Sequence, residues 1–210
     1  MKILFIGNSY TYYNDMPALL ESLMCENGYD AKIHSVTKGG RKLCANLEVG
    51  DEYNAKIVKL ISENSFDVLF LQEQSYLPIV DAEVFESAVG ALKTLAGAGR
   101  TILYATWGRK TGCPLLSELS LSSDEMTDAL NEAYKKAARA FGCEISPVGL
   151  AFKSLADSLE LYRDDMSHPS YTGSALAAIV HYKTITGGLP KKTDSLGLDK
   201  ETVDTIIKDI

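Results

Sequence analysis

Hydrophobic positions along this chain follow two alternating periods. Short apolar runs of strand character, Lys2 to Ile6, Ala31 to Val36, Asp67 to Leu71, Thr101 to Thr106 and Glu144 to Val148, are separated by stretches whose apolar residues recur every three or four positions. Met16, Leu19, Leu20, Leu23 and Met24 share one helical face after Asn14-Asp15 and Pro17, and Gly28 ends that helix. Ile57, Leu60 and Ile61 mark a helix over Tyr53 to Glu63. Phe85, Ala88, Val89, Leu92 and Leu95 mark another, stopped by Gly97 and Gly99. Ser122 or Ser123 caps a helix with Met126, Leu130, Tyr134, Ala138 and Phe141 inward, and helices over about Tyr171 to Thr186 and Lys200 to Ile210 complete the pattern. Five strands spaced by helices predict an α/β fold with a mostly parallel sheet covered on both faces, because parallel neighbours need crossover connections. No repeat or linker divides the pattern, so residues 1–210 read as a single domain.

In such sheets ligands bind at the carboxyl ends of the strands. The polar segments fall there: Gly7 to Tyr13, Thr37 to Arg41, Gln72 to Pro78 and Trp107 to Arg109. The stretch from Trp107 to Leu121 is the longest irregular piece and a candidate lid.

Charge and composition narrow the classes. A net charge of -7 without clustered Lys and Arg argues against nucleic acid and anionic membranes as partners. The apolar runs are far shorter than the roughly 20 residues that cross a bilayer. The first apolar run leads directly into a candidate nucleophile, so it does not read as a cleavable signal, and a cytoplasmic location is expected. Cys25, Cys44, Cys113 and Cys143 have no paired spacing and read as buried or half-buried free thiols. With three scattered histidines and no HExxH or HxH, neither a metal nor another cofactor is expected.

Chemistry concentrates at two distant segments. Ser9 follows the first strand, where a hydroxyl is exposed and free backbone N–H groups lie nearby, yet a serine needs a base to become a nucleophile. His168 sits in a polar loop with Asp165 three residues before it, a spacing that lets a carboxylate hold one ring nitrogen while the other faces a serine. Asp164 is the adjacent alternative at a less apt spacing. His34 and His181 read as packing or surface residues.

Four segments in order, Gly7-Asn8-Ser9, Gly39-Gly40, Gln72-Glu73-Gln74-Ser75 and Asp165-x-x-His168, resemble the SGNH (GDSL-type) hydrolase superfamily. Phe5 to Thr11, Leu71 to Ser75 and Ala105-Thr106-Trp107 are similar to a bacterial branch of it. The resemblance implies a flavodoxin-like three-layer fold with strand order 2-1-3-4-5, and carbon-oxygen ester hydrolysis through an acyl-enzyme. It makes Ser9 the nucleophile, His168 the base and acid, and Asp165 its orienter, with the N–H groups of Ser9 and Gly40 in the oxyanion hole. Two positions depart from the family pattern. Asn8 stands where Asp is usual, and Gln72 to Ser75 replace Gly-x-Asn-Asp, so that Gln74, or else Gln72, would be the third oxyanion donor.

Tyr13, Gln72, Tyr76 and Trp107 are the candidate substrate contacts, since aromatic rings at a cleft rim stack on sugars or short acyl groups, and Arg109 is placed to meet a carboxylate or hydroxyls. The expected substrate is a small-molecule or carbohydrate ester, with short acyl (acetyl) groups favoured. A non-catalytic glycan or small-ligand binding protein on the same fold, and a thioesterase, lysophospholipase or peptidase using the same triad, stand as the alternatives.

Overall fold

The computed structural model describes residues 1–210. In chain order it runs β1 (Lys2–Gly7), α1 (Ser9–Tyr12), α2 (Met16–Glu26), β2 (Lys32–Thr37), α3 (Glu52–Glu63), β3 (Val68–Leu71), α4 (Leu77–Val80), α5 (Ala82–Ala96), β4 (Arg100–Tyr104), α6 (Pro114–Leu119), α7 (Ser123–Phe141), β5 (Glu144–Ser146), α8 (Val148–Leu155), α9 (Tyr171–Thr186) and α10 (Lys200–Asp209). The five strands form one parallel sheet in the order 2-1-3-4-5. The order reverses between β1 and β3, and that reversal opens a crevice at their carboxyl ends.

Strand periodicity divides the core into two layers. Ile3, Phe5, Val68, Phe70, Ile102 and Tyr104 face α2, α8, α9 and α10, while Leu4, Ile6, Leu69, Leu71 and Leu103 face α3, α5 and α7. Phe5 and Phe70, paired in register on neighbouring strands, stack at 4.4 Å between ring centroids. The helices end as their sequences direct. Ser122 and Glu125 form a capping box on α7, and Gly97, Gly142 and Gly187 take left-handed conformations after α5, α7 and α9.

Two elements depart from the sequence reading. The fifth strand stops at Ser146 because Pro147 has no N–H to give the ladder, and Val148 opens α8 rather than ending a strand. Gly149 makes that turn possible, since a Cβ there would stand 2.1 Å from the carbonyl oxygen of Thr106. The stretch from Trp107 to Leu121 carries α6, whose Leu116 packs with Met126 and Leu130. Among the cysteines, Cys25 is exposed instead of buried, lying on the outer face of α2, and the other three are half-buried free thiols. No helix is long and apolar enough to cross a membrane.

Candidate active site

Asn8 is the N-cap of α1, and its side-chain oxygen accepts the N–H of Tyr10 at 3.2 Å. Ser9 is therefore the first helical residue, and its N–H has no acceptor within the helix. The N–H of Asn8 donates to Gln72 Oε1 at 2.8 Å, and its side-chain amide donates to the carbonyl of Arg41 at 3.2 Å. A carboxylate at residue 8 has no proton to give Arg41, so the amide is what joins the loops after β1 and β2. Gly40 lies in the second of these loops with φ +67°, a conformation that favours glycine.

His168 is brought to Ser9 by a tightly held turn. Met166 adopts a left-handed conformation, and Asp165 Oδ1 accepts the N–H groups of Ser167 at 3.0 Å and His168 at 2.8 Å. Asp165 Oδ2 meets His168 Nδ1 at 2.7 Å, and His168 Nε2 meets Ser9 Oγ at 2.9 Å. Partial burial works to raise the pKa of Asp165, but the bonds from His168 and Ser167 outweigh it and hold the carboxyl below its ordinary value. The Tyr13 ring stacks on the imidazole at 4.3 Å, and the edge of His168 meets Tyr10 at 5.6 Å. Trp107 Nε1 donates to the Ser167 carbonyl at 3.1 Å, and the Asn14 amide donates to the carbonyls of Pro169 and Ser170 and to Ser174 Oγ. The turn is thus fastened from three other segments.

A cavity of about 180 Å³ opens over these groups, lined by Asn8, Ser9, Tyr10, Gly40, Gln74, Ser75, Arg109, Ser167 and His168. Gln74 Oε1 accepts the N–H groups of Tyr76 at 3.3 Å and Leu77 at 3.2 Å, which leaves the amide nitrogen as the end of that side chain without a partner. The arrangement holds a hydroxyl against a carboxylate-oriented imidazole, with Gly40 and the Gln74 amide at the same opening, the kinds of group that nucleophilic acyl transfer draws on. A larger groove of about 430 Å³, between the end of β5, α8 and α9, is lined by Leu150, Ala151, Val180 and Ile210 together with Ser154, Lys183 and Asp209, and contains no histidine.

No family model matches the chain, and no curated protein matches it. A solved structure from Slackia heliotrinireducens, assigned to the SGNH hydrolases, is 32% identical over 88% of this chain and 98% of its own, with a TM-score of 0.79. This chain belongs to the SGNH hydrolases. The fold of these serine hydrolases recurs in a DUF4886 family protein from Bacteroides uniformis, 18% identical over 100% of this chain and 92% of that one at a TM-score of 0.81. It recurs also in a variant of the acetyl xylan esterase Axe2 from Geobacillus stearothermophilus, 15% identical over 91% and 97% at 0.63.

Within the SGNH framework of this chain, Ser9, Gly40, Gln74 and His168 meet at one cavity with Asp165 behind His168. Four expected substrate contacts lie elsewhere. Trp107 is fully buried, stacked between Tyr10 at 4.7 Å and Phe152 at 3.8 Å, because the apolar floor of the site has room for its ring. Gln72 is fully buried too; its Oε1 accepts from Asn8 and Thr11 and its amide donates to the Glu73 carbonyl, so the side chain is out of a ligand's reach. Tyr76 packs against Leu116, Met126 and Leu130, and Tyr13 backs the imidazole rather than lining the cavity. Sequence reasoning missed Asn14, Ser75, Ser167 and Glu73. Their contacts span loops far apart in the chain, and no local pattern signals them.

Proposed function

We propose that the protein is a serine esterase that cleaves carbon-oxygen esters of short acyl groups through an acyl-enzyme. The unbroken run of contacts from Asp165 through His168 to Ser9 carries this reading. His168 Nε2 takes the Ser9 hydroxyl proton as Oγ attacks the ester carbonyl carbon. The carbonyl oxygen, now anionic, is met by the N–H groups of Ser9 and Gly40 and by the Gln74 amide. Collapse breaks the bond to the alcohol, which leaves with the proton held by His168. Water then gives a proton to His168, attacks the acyl-Ser9 carbonyl and releases the carboxylic acid, returning the proton to Ser9 Oγ. Asp165 holds the imidazole in one tautomer and stabilises its cationic form.

Size supports a short acyl group. A cavity of about 180 Å³ is below the roughly 300–1,000 Å³ of sites for drug-sized ligands. Acetylated carbohydrate is the favoured class: an acetyl xylan esterase has the same fold, and Tyr12, 42% exposed beside Gly39, offers a ring at the rim on which a sugar can stack.

The test is intact-mass analysis after treatment with a small fluorophosphonate, on the wild type and Ser9→Ala in parallel. A single adduct in the wild type that is absent from the variant is expected, with hydrolysis of p-nitrophenyl acetate following the same pattern. An adduct that persists in Ser9→Ala, or none in the wild type together with inert p-nitrophenyl acetate, sinks the proposal.

A further inference from the structure

Arg109 is the one permanent charge on the wall of the Ser9 cavity, and none of the chain's ion pairs includes it. Its guanidinium is held by neutral hydroxyls, Nη1 donating to Tyr10 Oη at 2.6 Å and Nη2 to Ser75 Oγ at 2.8 Å, and its Nε is buried without a partner. Beneath it lies the apolar stack of Tyr10, Trp107 and Phe152. A cation set over such a floor is poorly solvated and gains from an anion.

The hydroxyl protons point the same way. Tyr10, Ser75 and Ser167 all line the cavity and bring three hydroxyl protons. One is used in the Tyr10–Ser167 bond at 2.9 Å, whichever oxygen donates, and Ser75 is a second hydroxyl partner of Tyr10, so at least one proton is left without a protein acceptor. Arg109 takes up lone pairs on Tyr10 and Ser75 and accepts nothing, so it leaves these hydroxyls as donors. A single positive charge with N–H groups to spare and a hydroxyl donor beside it matches a group with one negative charge and two acceptor oxygens.

We infer that Arg109, with the hydroxyls of Tyr10, Ser75 and Ser167 around it, forms a carboxylate subsite beside Ser9, and that the natural substrate is an ester carrying a carboxylate within a few bonds of the scissile carbonyl. The inference rests on the esterase reading and narrows its substrate class. The carboxylate can belong to the acyl group, as in a hemisuccinate, or to the alcohol, as in an acetylated hydroxy acid or uronic acid.

The experiment compares kcat/KM for phenyl acetate and for monophenyl succinate and O-acetylglycolate, each beside its own methyl ester, followed by titration of released acid, in the wild type, Arg109→Gln and Arg109→Lys. One of the two anionic esters is expected to exceed its own methyl ester, the neutral match with the same acyl and leaving groups, by about 10- to 100-fold, the range of a charge-assisted pair converted to a rate ratio. Which one does so names the side that carries the carboxylate. That ratio is expected to collapse in Arg109→Gln and to be partly kept in Arg109→Lys, which retains the charge without the fork. Should the Gln variant fold poorly, competitive inhibition of wild-type phenyl acetate hydrolysis by succinate or glycolate, and none by the matching amide, reads the same subsite. Methyl esters hydrolysed as fast as both anionic esters, with no such inhibition, overturn this inference and leave the esterase reading intact. A protein that hydrolyses none of these esters and takes up no fluorophosphonate overturns both.

Discussion

Glu73 Oε1 accepts the backbone N–H of Leu43 at 2.9 Å, tying the loop after β3 to the loop after β2. The same oxygen accepts the N–H of Gln74 at 2.6 Å, while Oε2 is buried with no partner. Burial pushes this carboxyl up to about 7, against the lowering pull of its two backbone bonds and of Lys42. The folded-state value lies above the ordinary 4.5, so the stability it contributes is complete below that pH and is lost as pH rises through 7, by roughly 3 kcal/mol. Urea unfolding of the wild type beside Glu73→Gln, at a series of pH values from about 5 to 8, isolates this decline from the opposing contribution of His181. Glu73→Gln, which keeps the accepting oxygen and leaves His181 in place, should gain stability relative to the wild type as pH rises through this range; matching slopes in the two proteins would show that the carboxyl does not titrate in it.

His181 works in the opposite direction. Its Nδ1 contacts Ser146 Oγ at 2.7 Å, Nε2 has no partner, and burial among Phe5, Phe70 and Tyr104 lowers its pKa to about 3. The unfolded chain takes up this proton near pH 6.5 and the folded protein does not, so stability falls as pH drops below that value, by an amount of order 4 kcal/mol towards pH 3. His181→Phe should reduce the acid-side slope of the same urea measurements. An unchanged slope would place a charged imidazole in the core.

The members of the Asp165–His168–Ser9 run should differ in what their loss costs. Ser9→Ala and His168→Ala remove a reacting group, and kcat for p-nitrophenyl acetate should fall by about 10⁶ or to background. Asp165→Ala removes an orienting group and should leave more activity, with a loss nearer 10⁴. Stopped-flow and long-time assays on the purified variants give the ranking. Equal activity in Asp165→Ala and the wild type would leave Asp165 with only its turn-forming bonds to Ser167 and His168.

Trp107 is a test of core against rim. Trp107→Ala should cost about 3–5 kcal/mol in unfolding free energy, as large-to-small changes of buried aromatic residues do. A ring at the cleft rim would give little stability change and a raised KM, and chemical denaturation with steady-state kinetics separates the two.

Much of the fold is written locally. The strands and long helices follow from the two hydrophobic periods, and α7 begins where Ser122 and Glu125 announce a capping box. The beginning of α8 was hidden because Val148 is β-branched and continues an apolar run, so only the missing N–H of Pro147 separates strand from helix. The two site segments were legible because Asp165 and His168 are close in sequence and Ser9 directly follows a strand. Trp107 and Gln72 were misread for one reason: both follow strands at the correct end of the sheet, but the neighbours that bury them come from elsewhere. Phe152 arrives from α8, and Asn8 and Thr11 from the far side of β1. The part played by Glu73 depends on two loops 30 residues apart meeting, which no periodicity records.

The contact between Ser9 and His168 joins residues 159 positions apart. During synthesis at roughly 5–20 residues per second, about ten seconds or more separate the appearance of the hydroxyl from that of the imidazole. Throughout that interval Ser9, the proposed nucleophile, is without the imidazole it contacts in the finished fold. In the proposed enzyme, hydrolytic competence waits on the docking of the turn from Asp165 to Pro169, and a chain cut short before it has no base for Ser9 however well its sheet has formed.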